Sequence, residues 1–111
     1  MSKPCSAMNI RWLDSAEEEL LNIVRLERRL LGLEVATQVY DDVILRVEAL
    51  SKFPFLGTLE TFVNYHGLEI RVLHGRYTRV FYTINYDEIL VLMVWDNRRD
   101  SRLIESTLLS K

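Results

Sequence analysis

The stretch LEIRVLHGRYTRVFYTINYDEILVLMVW, residues 68–95, carries two apolar rhythms in one run. From Leu68 to Leu73 the side chains alternate, with Leu68, Ile70 and Val72 on one face and Glu69 and Arg71 on the other, which predicts a strand. His74 and Gly75 form a turn. Tyr77 to Ile84 then resumes the alternation, with Val80, Tyr82 and Ile84 opposed to Arg79, Phe81 and Thr83, so a hairpin results. Asn85, Tyr86 and Asp87 make the next turn. Ile89 to Trp95 is apolar throughout, the pattern of a strand covered on both faces or central in a sheet. Three strands joined by short turns predict an antiparallel meander. Past Trp95 the polarity changes abruptly to Asp96, Asn97, Arg98, Arg99 and Asp100. Leu103, Ile104, Leu108 and Leu109 then predict a short terminal helix or packed tail.

Upstream, the chain reads as helix. Asn9 to Leu13 alternates as a half-buried strand, with Ile10 and Trp12 opposed to Arg11. Ser15 with Glu18 three residues later has the spacing of a capping box, and Glu17, Glu18 and Glu19 suit the positive end of a helix dipole. Ala16, Leu20, Ile23, Val24, Leu30 and Leu31 follow helical spacing, with Arg25, Glu27, Arg28 and Arg29 mostly on the other face, until Gly32 offers a C-terminal cap. A second helix starts at Glu34, with Ala36, Val39, Tyr40, Val43, Val47 and Leu50 as its stripe. Pro54 stops it, and Gly57 permits a sharp turn. The short connection makes an antiparallel helix hairpin whose stripes need a sheet to cover. Residues 58–66 read as loop or weak strand. The expected architecture is α+β: an N-terminal strand, a helix hairpin packed on a small antiparallel sheet (β-α-α-β-β-β), and a short C-terminal helix or tail. Residues 1–7 read as a disordered extension and 8–111 as one domain.

Composition narrows the function. At 111 residues, with 49% hydrophobic and 27% charged residues, the chain can bury one core without metal or disulfide staples. A lone cysteine, Cys5, fits a reducing cytoplasm. The start lacks a signal-peptide h-region, and no apolar run reaches the length of a membrane span, so a soluble cytoplasmic protein without a membrane partner is expected. The net charge of −2 disfavours general nucleic-acid binding, which draws on a basic excess, and leaves only local arginine patches for that role. Eleven of the fourteen bases are arginine, the planar donor suited to phosphates and carboxylates. No segment matches a metal, nucleotide or cofactor site, and His66 and His74 lack partners at zinc-ligand spacing, so neither metal nor cofactor is expected.

Arg71, Arg79, Arg98 and Arg99 lie on or just beyond the three strands. Each needs water, an acid or a phosphate, because an unpaired buried guanidinium costs several kcal/mol. Arg71 has Glu69 and Glu60 as internal partners or an external anion. Arg79 shares its face with Phe81 and Thr83 and either snorkels over an aromatic ring or grips a phosphate. Arg98 and Arg99 lie between Asp96 and Asp100, which either neutralise them or leave two forks on a rigid base for a phosphate or an acidic partner. His74, in the turn between the strands bearing Arg71 and Arg79, is a candidate proton donor.

The order of these elements, with Trp12 before Ala16, the stretch LSKFPFLG from Leu50 to Gly57, Arg71 in LEIRVL, Arg79 in RVFYTI, and Arg98 and Arg99 after the last strand, resembles the RelE/ParE superfamily of bacterial type II toxin–antitoxin systems. The resemblance covers residues 8–102. It implies a growth-inhibiting toxin and a cognate antitoxin, acidic and partly disordered, in a hetero-oligomer or beside a homodimer. RelE-like members cut ribosome-bound mRNA without metal. In that branch Arg71, Arg79 and Arg99 would be catalytic, while the tyrosine or histidine of the pattern is missing near the C-terminus and Glu105 falls about where it would stand. ParE-like members inhibit DNA gyrase. In that branch Arg71, Asp96, Arg98 and Arg99 would bind the enzyme target. The Pro54 to Gly57 turn, the arginine pair before Asp100 and the acidic balance tilt the reading toward ParE, with a nuclease or an inactive interaction module as the alternatives.

Overall fold

The computed structural model describes residues 8–111, so the extension expected over residues 1–7 lies outside the described residues. The chain forms β1 (Asn9–Trp12), α1 (Asp14–Leu31), α2 (Leu33–Ala49), β2 (Thr58–Tyr65), β3 (Leu68–His74), β4 (Thr78–Asn85) and β5 (Glu88–Asp96). A 3₁₀ turn (Ser101–Leu103) and the short α3 (Ile104–Leu109) follow. The α+β order read from the sequence holds, and residues 58–65 are a full strand. The polar residues of TLETFVNY hide it from period-two reading because β2 is an edge strand with an irregular register between Glu60 and Asn64.

The sheet order is β1-β5-β4-β3-β2. The helix hairpin carries the chain from one edge of the sheet to the other, and the meander walks back until β5 lies parallel to β1, with Trp12 opposite Val91. One face of the sheet packs on the helices through Leu73, Val80, Tyr82, Val91 and Val94. The other face packs on α3 through Ile70, Val72, Phe81, Leu92, Met93 and Trp95. Both faces of β5 are therefore covered. A bulge opposite Phe81 and Tyr82 turns Leu92 and Met93 to the same face.

Three local expectations need correction. Helix α1 starts at Asp14, with Leu13 at the cap and no side-chain cap bond, so Ser15 and Glu18 do not form a capping box. Asp14 and Glu17 meet the dipole instead, and the Ser15 hydroxyl accepts from Lys111 Nζ at 2.8 Å. Glu27 is buried, while Leu30 and Leu31 at the tip of α1 are exposed. Helix α2 ends at Ala49, several residues before Pro54. Gly32 joins the helices at φ 95°, a left-handed conformation open to glycine, and its N–H closes α1 onto Arg28 O at 3.1 Å.

Candidate functional site

The end of β5 and the start of β4 are bound into one corner. Asp96 Oδ1 accepts from the Arg98 backbone N–H at 2.9 Å, and the Arg99 N–H reaches Asp96 O at 2.9 Å, so the chain turns back immediately after the strand. Asn97 ties this turn to the β3–β4 connection, donating from its backbone to Tyr77 O at 3.0 Å and from Nδ2 to Gly75 O at 3.2 Å. Asp100 accepts from the Arg102 N–H at 3.0 Å and starts the 3₁₀ turn.

Within this corner the two tandem arginines differ. Arg98 is clamped: Nε and Nη2 reach Asp96 at 3.1 and 2.7 Å, and Nη2 also meets Glu27 of α1. Burial pushes the Asp96 carboxyl up, but the hydrogen bonds and charge of Arg98, with the charge of Arg99, outweigh it and hold Asp96 below the usual carboxylate value. The hydrogen bonding that Arg98 donates to Asp96 is the largest cause raising Arg98 above its ordinary value. Arg98 is thus the counterion of two buried acids.

Arg99 has no such partner among the described residues. Its guanidinium lies 4.0 Å from the centre of the buried Trp95 ring, which presents the charge on a flat, fixed platform. Asp100 does not neutralise it; that carboxylate binds Arg102 bidentately at 3.0 and 2.8 Å. Arg99 also borders a cleft of about 260 Å³ between β5 and α1, where Glu19 and Asp96 are already engaged with Val94 and Lys111 and with Arg98.

Arg79 faces the α3 layer beside Phe81. It lines a cavity of about 320 Å³ with Glu60, Ser101, Arg102, Ile104 and Glu105, and no carboxylate of the described residues lies within ion-pair distance. His74 is its cross-strand neighbour, with Nε2 3.3 Å from Thr58 Oγ1.

Arg71 stands apart. It pairs with Tyr82 across the strands and so faces the helices, opposite to Arg79. Neither Glu69 nor Glu60 binds it. Its Nη1 donates to Gly57 O at 2.8 Å, and the guanidinium lies 4.9 Å from the Phe55 ring centre. The sheet therefore separates Arg71 from Arg79, and the three arginines grouped for a nuclease do not share one concavity.

Sequence reasoning missed Glu27 and Trp95. Glu27 was signalled by its place four residues from both Ile23 and Leu31 and seven from Leu20, on the apolar stripe itself. Trp95 as a platform had no signal, because the fold of the next four residues decides what covers its ring.

Among the described residues no group of three or more His, Cys, Asp or Glu is placed to hold a metal, and no helix is long and apolar enough to cross a membrane. A search of curated proteins finds no match. Among solved structures, the chain is similar to a chromosomal ParDE toxin–antitoxin system from P. aeruginosa. That match has 22% identity and a TM-score of 0.67, and covers 82% of this chain and 97% of the other. It is also similar to the RelBE2 toxin–antitoxin complex from Mycobacterium tuberculosis, at 15% identity and a TM-score of 0.53, with 88% of this chain and all of the other covered. Both likenesses concern the fold. A protein-family profile described as the ParE toxin of the type II toxin–antitoxin system parDE matches residues 10–101, nearly the whole described chain. The chain belongs to the ParE toxin family of type II toxin–antitoxin systems.

Proposed function

We propose that this toxin arrests growth by binding and inhibiting DNA gyrase, and that a cognate antitoxin holds it silent. The observation that carries the reading is Arg99: a guanidinium fixed on Trp95, without a carboxylate partner among the described residues, at the open corner of a ParE-family fold. Arg98 and Asp96 shape that corner by binding each other. The net charge of −2 favours a protein surface over nucleic acid as the main contact. The antitoxin is an acidic, partly disordered chain that covers arginine-rich and apolar surface, and both similar structures come from toxin–antitoxin pairs. The toxin works in the cytoplasm, where gyrase is found.

A second reading rests on one observation, the cavity that brings Arg79 together with Glu105 and Glu60 beside His74. In a ribosome-dependent nuclease Arg79 would stabilise charge developing on the scissile phosphate, and His74 or a carboxylate would move the proton of the 2′-hydroxyl. Arg71, on the opposite face, has no part in that chemistry.

Purified toxin added to a gyrase supercoiling reaction, alongside cleavage mapping of mRNA in a translating extract, separates the two. Loss of supercoiling with intact message is the expected result. Codon-positioned cuts with normal supercoiling would establish the nuclease instead.

A further inference from the structure

The turn after α2 exposes large apolar side chains and yet is held rigidly. Phe53, Phe55 and Leu56 are 63%, 68% and 55% exposed in a run of four residues around Pro54. Beneath them the backbone is fixed from the core. The buried Tyr82 hydroxyl donates to Pro54 O at 2.7 Å and accepts from the Gly57 N–H at 2.9 Å, and Arg71 binds Gly57 O. Gly57 itself leaves no room for a side chain, since a Cβ there would stand 2.7 Å from the Tyr82 ring and 2.9 Å from Val72 O. The buried Tyr82 and the half-buried Arg71 thus brace a turn whose own side chains stay in water. Nothing in folding requires that: exposed aromatics stabilise no core and invite aggregation. Rigid aromatic anchors with an arginine among them are instead what binding hot spots are made of, because little ordering entropy is lost on contact.

Charge indicates the occupant. Arg71 lies over Phe55 within the patch and binds only a carbonyl, and Lys52 adjoins it with no ion pair among the described residues. We propose that the Phe53–Gly57 turn is a second target-contacting element, which inserts Phe55 and Leu56 into an apolar socket rimmed by carboxylates on the protein the toxin disables. The identity of that protein rests on the gyrase reading; the surface does not. An anionic bilayer is the less favoured occupant, because three side chains and two cations on a chain of net charge −2 make a weak membrane anchor.

The test compares wild-type toxin, Phe55→Ser/Leu56→Ser and Phe55→Tyr for inhibition of purified DNA gyrase, with thermal melts of each. The double variant is expected to melt like wild type and to need at least about tenfold more protein for half inhibition, the loss of a single hot spot. Phe55→Tyr, which keeps the ring, stays within about threefold by the same measure. Equal inhibition by wild type and double variant overturns the inference and leaves the gyrase reading standing. If wild-type toxin leaves supercoiling untouched, the gyrase reading falls alone, and growth arrest after induction judges the turn. Arrest lost in the double variant upholds the turn, arrest retained overturns it, and no arrest by wild type overturns both. Binding of wild-type toxin to phosphatidylglycerol vesicles that the double variant loses would assign the turn to a membrane and overturn the protein socket.

Discussion

Tyr82 shows how one buried side chain can set the position of a segment that precedes it by more than twenty residues. Tyr82→Phe keeps the ring and removes both bonds to the turn, leaving the buried Gly57 N–H without an acceptor; a loss of about 1–3 kcal/mol in denaturant unfolding is expected. The same substitution changes the alkaline limb. Burial raises the Tyr82 phenol above its ordinary 10.0, against the lowering pull of Gly57 and Arg71, so the folded state holds the proton more tightly than the unfolded one. Its contribution is complete below pH 10.0 and is lost as pH rises toward the folded value, and Tyr82→Phe should flatten stability there. For Asp96 the sign reverses. Its lowered carboxyl contributes above 3.8 and is lost as pH falls through the folded value, so Asp96→Asn should remove part of the acid sensitivity seen in melts below pH 4. Arg98→Ala leaves Glu27 and Asp96 buried without their counterion and should cost about 3 kcal/mol, the low end for a broken buried pair because the Arg98 head is half exposed. Arg102→Ala breaks an exposed pair and should leave the melt unchanged. Whether an arginine is clamped or free was not readable from the chain: Arg98 and Arg99 are adjacent and identical, and the turn that folds Arg98 onto Asp96, with the buried Glu27 of a distant helix, tells them apart.

Strands and helices were readable wherever the pattern of side chains separates two faces. The alternation of β3 and β4 assigned Val80 and Tyr82 to one face and Arg79 and Phe81 to the other, as the structure has them. Which layer Arg71 and Arg79 each face was not readable, because it depends on the register that sets Arg71 opposite Tyr82, and alternation within one strand does not fix that register. From Ile89 to Trp95 every side chain of β5 is apolar, so the bulge at Leu92 and Met93 left no trace in the pattern. The edge of β5 beyond β1 had no signal either, since it is capped by a side chain: Glu19 Oε1 accepts from the Val94 N–H at 3.0 Å while Oε2 accepts from Lys111 Nζ at 2.9 Å. Capping an exposed edge with an inward-pointing charge discourages strand addition. Glu19→Ala leaves the Val94 N–H without its acceptor and the Lys111 ammonium without its carboxylate, with only the Ser15 hydroxyl remaining, and hydrogen–deuterium exchange at Val94 should quicken while stability falls by about 1–3 kcal/mol.

Taken whole, the molecule is a sheet with a helical layer on one side and a short helix on the other, and its uncommitted cations lie at separate places. Arg99 and Arg79 flank the β4–β5 corner from different clefts, while Arg71 braces the apolar turn across the sheet. Such an arrangement suits a protein that holds a large target at more than one point better than one that surrounds a single phosphate. Supercoiling by purified DNA gyrase, titrated with wild-type toxin and with Arg99→Ala, tests this most directly. The wild-type chain should abolish supercoiling, and Arg99→Ala should need about tenfold more protein, as for the loss of one interface hot spot, while its fold loses only the stacking on Trp95, about 0.5–1 kcal/mol. Undiminished supercoiling in the presence of wild-type toxin, with ribosome-bound message cut in the same extract, would contradict the account.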